Sequence, residues 1–449
     1  MHRHGYRRWR TEVANASYLG AHAWDPTHPI IEMEIAFLPY NFLMPSWGSP
    51  GHLGPMLTAA QLLRGRGHGV RFIAREDARA PVEAAGYSFT AWRRTSSFTP
   101  VAPHDEGMRQ AYDQLLFGPA AARAADTRDE IDRAQTDALL SDICLFGSPL
   151  AAEAAGIPCA LLAPTISLRP LPGVPPIGSG LRAPHTPEAH AEVDAANNRF
   201  TDVMNEWLPM LNEARASLSL APFDHVLELF DRSARLLLAI SAAFDFPAND
   251  LPKNVRYIGP LLDSSDWSKP WTAPWPQGSD RPRALVSFST TNQNQAAALQ
   301  RTVNAIAGIE MDAVATLGPE LDGAPLRPPK NVTLLRSAPH DVVMEVVSLV
   351  VTHGGHGTVS RALRHGLPLL VMPMGRDQDD VALRVEAHGA GLILPPTAPE
   401  AEIVAVINRL IKEPHFRIAA RRLGEAINAE IESAGLVGEM EEIARAQAS

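Results

Sequence analysis

Cysteine is nearly missing from this chain: its 449 residues hold two, Cys144 and Cys159, each inside an apolar run. A disulfide framework is excluded, and both read as buried thiols of a reducing compartment rather than a metal or redox pair. Positive charge is in deficit as well, with 40 Lys and Arg against 50 Asp and Glu and a net charge of −10 with His neutral. Broad nucleic-acid binding needs a basic face to displace counterions from phosphates, so no nucleic-acid partner is expected. Long hydrophobic runs are missing too. The longest are strand-length, which excludes a membrane-spanning helix, and no apolar stretch follows the arginines of residues 3–10, so a secretory signal is not expected either. Together these absences predict a cytoplasmic protein with no stable membrane insertion.

What is present suits a globular protein of two or three domains: 45% of residues are hydrophobic and 20% charged, and 39 prolines make loops numerous. A chain this long buries about three quarters of its unfolded surface without staples. Residues 1–32 show no sustained periodicity and read as an N-terminal extension, with Met33 at the mouth of the first apolar strand. From there strands and helices alternate. Residues 31–38 read as a strand, 39–51 as a loop carrying Tyr40, Phe42, Met44 and Trp47, and Gly54-Pro55 as the start of a helix with Met56, Ala59, Ala60 and Leu63 on its buried face. Strands follow near 70–74, 87–91, 138–143 and 159–163. Residues 164–187 read as a mobile Pro-rich loop, and 189–218 as helical. Seven prolines and three tryptophans interrupt residues 246–283, and the rhythm restarts at Ala284. The expected architecture is α/β, with two doubly wound Rossmann-like domains facing a cleft: residues 33–245, a linker over 246–282, and 283–449 with C-terminal helices.

Ligands of doubly wound sheets lie beyond the carboxyl ends of the strands, where strand order reverses. With the order 3-2-1-4-5, His52 after the first strand and Asp142 at the end of the fourth become neighbours. A carboxylate on one imidazole nitrogen makes the other a general base near neutral pH. The alternative is a loop histidine and a helix cap. In the second half, the strand 349–352 runs into His353-Gly354-Gly355-His356-Gly357-Thr358 and a helix. Such a turn brings backbone amides and a helix N-terminus to a phosphate, and Thr290, after the strand 284–289, aims at the same cleft. Asp377-Gln378-Asp379 invites a metal reading, but a carboxylate pair without further oxygen ligands holds Mg²⁺ poorly. Asp379 and Asp380 fit a first helical turn, and Asp377 and Gln378 suit vicinal hydroxyls. Gly48, Gly51 and Gly54 followed by Glu76-Asp77 raise a dinucleotide reading, but their spacing is not G-x-G-x-x-G.

The run from Ala338-Pro339-His340 through residues 353–358 and Gly366-Leu367-Pro368 to Asp377-Gln378 resembles the donor signature of glycosyltransferase family one. These are inverting enzymes of the GT-B fold that include bacterial antibiotic and macrolide glycosyltransferases. The resemblance extends to Gly51-His52 with Pro55, to Asp142 and to residues 151–158, and covers nearly all the chain from Met33 onward. It implies that His52 deprotonates an acceptor hydroxyl, that Asp142 orients His52, and that the acceptor oxygen displaces a diphosphate in one inverting step. It assigns the diphosphate to Thr290, His353, Gly355, Gly357 and Thr358, the sugar to Asp377 and Gln378, and implies neither metal nor cofactor beyond the nucleotide-sugar co-substrate. Two positions depart from the plant-type signature: Ser337 stands where a base-stacking Trp is usual, and Arg361 where a ribose-binding Glu is usual. The donor is therefore open between a UDP-sugar and a dTDP-sugar. The expected acceptor is a small lipophilic natural product (polyketide, macrolide or flavonoid-like), lined by Tyr40, Phe42, Trp47, Trp92 and the loops 93–106 and 164–187. A catalytically silent GT-B auxiliary protein and a nucleotide-sugar 2-epimerase are the alternatives, and a homodimer is left open.

Overall fold

The computed structural model describes residues 39–95, 109–263, 271–275, 278, 280–288, 295–318, 321, 323–433 and 435–448. The first half is built from β1 (Asn41–Pro45), α1 (Pro50–Gly65), β2 (Gly69–Ala74), α2 (Arg79–Ala84), β3 (Ser88–Ala91), α3 (Ala120–Arg133), β4 (Ala138–Asp142), α4 (Gly147–Ala155), β5 (Cys159–Ala163), α5 (Pro187–Asn205), α6 (Leu208–Ser217), β6 (Arg235–Leu238) and β7 (Val255–Tyr257). The second half comprises β8 (Arg283–Ser287), α7 (Ala296–Ala307), β9 (Asp312–Thr316), β10 (Val332–Leu335), α8 (His340–Met344), β11 (Leu349–Thr352), α9 (His356–Arg364), β12 (Leu369–Val371), α10 (Gln378–Ala387), β13 (Gly391–Ile393), α11 (Glu400–Lys412), α12 (Pro414–Ser433) and α13 (Gly435–Ala448). Among the described residues two sheets form, in the orders β3-β2-β1-β4-β5-β6-β7 and β10-β9-β8-β11-β12-β13. Their strand pairs are parallel. The apolar runs follow from this, because a parallel strand covered on both faces cannot alternate with polar residues: all five residues of β4 and of β5 are buried.

Several sequence expectations need correction. The segment 31–38 lies outside the described residues, and 39–51 is not a loop: Asn41–Pro45 is a central strand between β2 and β4, with Phe42, Leu43 and Met44 wholly buried. Its hydrophobic stretch is short and ends in Pro45, which hid it. The following helix starts at Pro50, not Gly54, since a proline in the first turn loses no helical hydrogen bond. Leu53, Met56, Ala59, Ala60 and Leu63 form its buried stripe. The helical stretch after 187 is two helices, α6 opening with Pro209 in its first turn.

The linker proposed for 246–282 yields residues 255–257 to the first sheet, where β7 pairs with β6. Nor is the segment 164–187 a mobile surface loop. Its Ile166, Leu168, Leu171 and Val174 are buried in an apolar cluster that also holds Leu139, Leu161, Val350 and Val371, and so spans both sheets. The C-terminal helix crosses back as well: Leu436, Met440, Ile443 and Ala444 of α13 pack with Phe42, Met44 and Leu140 beneath the first sheet. Thus 283–449 is not one spatial unit.

Candidate active site

The first rim of the cleft comes from the β1 and β4 ends. Ser46 N–H bonds the Ile73 carbonyl at 2.9 Å, and Gly48 turns the chain with φ +84°, where an added Cβ would crowd Ala78. This delivers His52 to the first turn of α1, and its Nδ1 lies 3.0 and 3.2 Å from the two Asp142 oxygens. A carboxylate only accepts, so Nδ1 carries the proton and Nε2 is left as the basic nitrogen. Asp142 is 1% exposed and also accepts the Cys144 N–H at 2.9 Å and the Trp47 N–H. Burial alone would lower the His52 pKa, but the Asp142 charge and hydrogen bond, with Asp377 adding, raise it above the usual histidine value. For Asp142, burial works upward and is outweighed by His52 and the backbone N–H groups, so its carboxyl stays below the usual range. The Trp47 ring meets His52 edge-on, centroids 4.8 Å apart.

His52, Asp142 and Cys144 bring three metal-ligand atoms within 4.8 Å of one another. His52 Nδ1 and Asp142 are already hydrogen-bonded to each other, however, and burial and the Asp142 charge push the Cys144 thiol well up. The trio fits a base with its supporting groups better than a metal centre.

The second rim is the turn between β11 and α9. Gly354 has φ +96°, and a Cβ there would lie 2.9 Å from Val371 Cγ1; a Cβ on Gly355 would meet the His353 ring at 2.7 Å. Gly355 therefore lets the imidazole lie close against the turn. Gly355 caps α9, Gly357 is exposed and Thr358 half-buried in its first turn. The first amides of a helix have no intrahelical partner, which makes this end an anion site. Burial holds His353 down to about 4, against a hydrogen bond to the Ser287 carbonyl and the Asp377 charge. It is a neutral hydrogen-bonding ring. His340, in the same signature, sits 3.4 Å from Ser287 Oγ and from Thr316 Oγ1 and is likewise held down to about 4 by burial.

Asp377 closes the cleft: Thr165 Oγ1, just past β5, donates to its Oδ2 at 2.7 Å. Gln378 is 2% exposed and accepts the Met374 N–H at 2.8 Å, so it braces the turn that carries Asp377. Thr290 lies outside the described residues. Sequence reasoning missed Thr165 and the role of His356, whose hydrogen bond to the Pro164 carbonyl ties α9 to the first half; prolines disguised the segment that carries both partners. Arg361 is engaged by acids. It pairs with Asp341 and Asp263 and donates to the Asp263 carbonyl at 2.9 Å. Of the aromatics expected around the acceptor, Phe42 belongs to the core, Trp92 is 9% exposed, and Trp47 stands at the base. A separate cavity of about 120 Å³ lined by Pro149, Glu153, Ile157 and Arg232 is smaller than the roughly 300–1,000 Å³ of ligand pockets.

Residues 300–443 match the family model described as erythromycin biosynthesis protein CIII-like, C-terminal domain. The chain is 29% identical over 400 residues to 4'-demethylrebeccamycin synthase of Lentzea aerocolonigenes, covering 83% of this chain and 92% of that protein. Among solved structures, the glycotransferase of kitacinnamycin superposes with a TM-score of 0.71 at 22% identity, covering 89% of this chain and 98% of that one. Glycosyltransferase VinC in complex with dTDP superposes with a TM-score of 0.65 at 22% identity over 90% of this chain and 100% of its own.

Proposed function

We propose that this chain, a glycosyltransferase of family one and of the GT-B fold, moves a sugar from a nucleoside diphosphate to a hydroxyl of a lipophilic natural product with inversion. The observation that carries the mechanism is the His52–Asp142 pair, a base whose free nitrogen is the one not bonded to the carboxylate. His52 Nε2 takes the acceptor proton as the acceptor oxygen attacks the anomeric carbon. The bond to the diphosphate breaks on the opposite face, and the leaving oxygens are received by the α9 amides, His353 and Thr358. Each hydrogen bond to that charge contributes about 1.5–3 kcal/mol. Asp377 takes sugar hydroxyls, with Gln378 bracing it.

A dTDP-sugar is the donor favoured here. Arg361 stands where a ribose-binding Glu is usual and its guanidinium is paired with Asp263 and Asp341, so the carboxylates at that place are engaged by a cation rather than left to a 2′-hydroxyl. The VinC complex with dTDP supports the same reading. The test is incubation of the purified chain with UDP- and dTDP-sugars and a panel of polycyclic and macrolide aglycones, with product mass and anomeric configuration read by mass spectrometry and NMR. Transfer with inversion is expected. A retained anomeric configuration would contradict the mechanism, and no product with any pair would favour the auxiliary-protein reading.

A further inference from the structure

Helix α10 has two jobs, only one of which faces a donor. Its N-terminal end carries Asp377 and Gln378, while the following turns reach into the first half of the molecule. Asp380, 2% exposed, accepts the Gly178 N–H at 2.7 Å, with the Gly180 N–H adding to it. Glu386 pairs with Arg182 at 2.5 Å. The segment 164–187 held in this way leaves the end of β5, next to the strand that bears Asp142, and touches Asp377 through Thr165. It therefore lies along the cleft between the base and the donor helix.

We propose that Asp380 is a positioning residue for acceptor binding: its carboxylate fixes the Gly178–Gly180 turn, and with it the acceptor-side segment 164–187, against the donor helix. The inference rests on the transferase reading of the cleft. Asp380 is not needed to dock the two halves. Arg384 and Asp245, at 1% and 5% exposure, form a buried pair at 2.8 Å, Tyr257 donates to Asp245 at 2.8 Å, and Glu430 accepts the Ala242 and Ala243 N–H groups. Asp380 acts on the segment alone.

Burial raises the Asp380 carboxyl to about 6 against the pull of the Gly178 and Gly180 amides. The charges around it are Arg384 and Asp377 at its own helix, Asp245 behind Arg384, and Arg182, which is taken by Glu386. His356, buried with its pKa held down to about 4, adds no charge near pH 6. Above that pH the ionised carboxylate holds the turn. Below it the neutral acid still offers an acceptor oxygen to the turn. Because the folded pKa is raised, folding takes up a proton between the unfolded and folded values, and the ionised group weighs against stability at neutral pH.

Three full-length proteins test this: wild type, Asp380→Ala and Asp380→Asn, each with acceptor and donor KM measured above and below pH 6 and amide exchange followed over 176–183. Removal of the carboxylate in Asp380→Ala is expected to raise acceptor KM about tenfold, the loss of one charge-assisted hydrogen bond, with donor KM and kcat within about twofold. Asp380→Asn keeps an acceptor oxygen without the charge. It should hold at least the wild-type Tm at neutral pH and rescue most of the acceptor KM above and below pH 6, while the kcat profile, set by His52, stays. Equal change of both KM values, or exchange at 176–183 identical in all three proteins, overturns the proposal. If wild type transfers no sugar, the transferase reading fails, while the exchange comparison still decides whether Asp380 orders the segment.

Discussion

Histidines stand on both rims of the cleft, and their surroundings treat them in opposite ways. His52 on the first rim is raised, because Asp142 outweighs burial; His340, His353 and His356 on the second have no carboxylate bonded to them and are held down to about 4. One residue type thus serves two chemistries: an imidazole backed by a carboxylate takes a proton, and an imidazole buried without one stays neutral and only hydrogen-bonds. On the proposed reading, the positive end that meets a diphosphate is then the α9 amides, not imidazolium.

The largest break of this contrast is His52→Ala. Removing the base should lower kcat by about 10²–10⁴ while dTDP and UDP affinity, read by calorimetry, stay within about twofold; a parallel loss of nucleotide affinity would show that the rims are not separate. Next comes deletion of 435–448, which strips Leu436, Met440 and Ile443 from beneath the first sheet. At about 1.5–3 kcal/mol for each large side chain, Tm should fall by about 5–10 °C in a chain of this length, whereas an unchanged Tm would mean that α13 is dispensable. Gly355→Ala drives a Cβ into the His353 ring and should weaken nucleotide binding about tenfold, the worth of one hydrogen bond to a charge, while the acid limb of the kcat profile, which belongs to His52, keeps its position. The smallest expected effect is that of EDTA: turnover should change by less than about twofold, since His52 Nδ1 and Asp142, two members of the trio, are already bonded to each other.

The dyad was legible because a β4 ending in Asp142 and a helix after β1 must meet once the strand order is 3-2-1-4-5; a separation of 90 residues closes to 3.0 Å. The donor turn was legible because its glycines are demanded by the His353 ring and by Val371. What failed has common causes. The strand Asn41–Pro45 is five residues long and ends in proline, so it resembled a loop although four of its residues are buried. The segment 164–187 has prolines between Ile166, Leu168, Leu171 and Val174, which breaks any period without preventing burial. The destination of α13 is a tertiary fact: Leu436, Met440 and Ile443 mark a buried stripe, but a stripe does not say which sheet it covers.

The central claim is that Asp142 makes His52 the base. Its most direct test is the pH dependence of kcat/KM for wild type and Asp142→Asn. A base must lose its proton, so the wild-type acid limb should sit above the ordinary histidine value of 6.5. In Asp142→Asn, where burial acts without the carboxylate, the limb should move below that value and the plateau should drop. An acid limb at the same pH in both proteins would contradict the account.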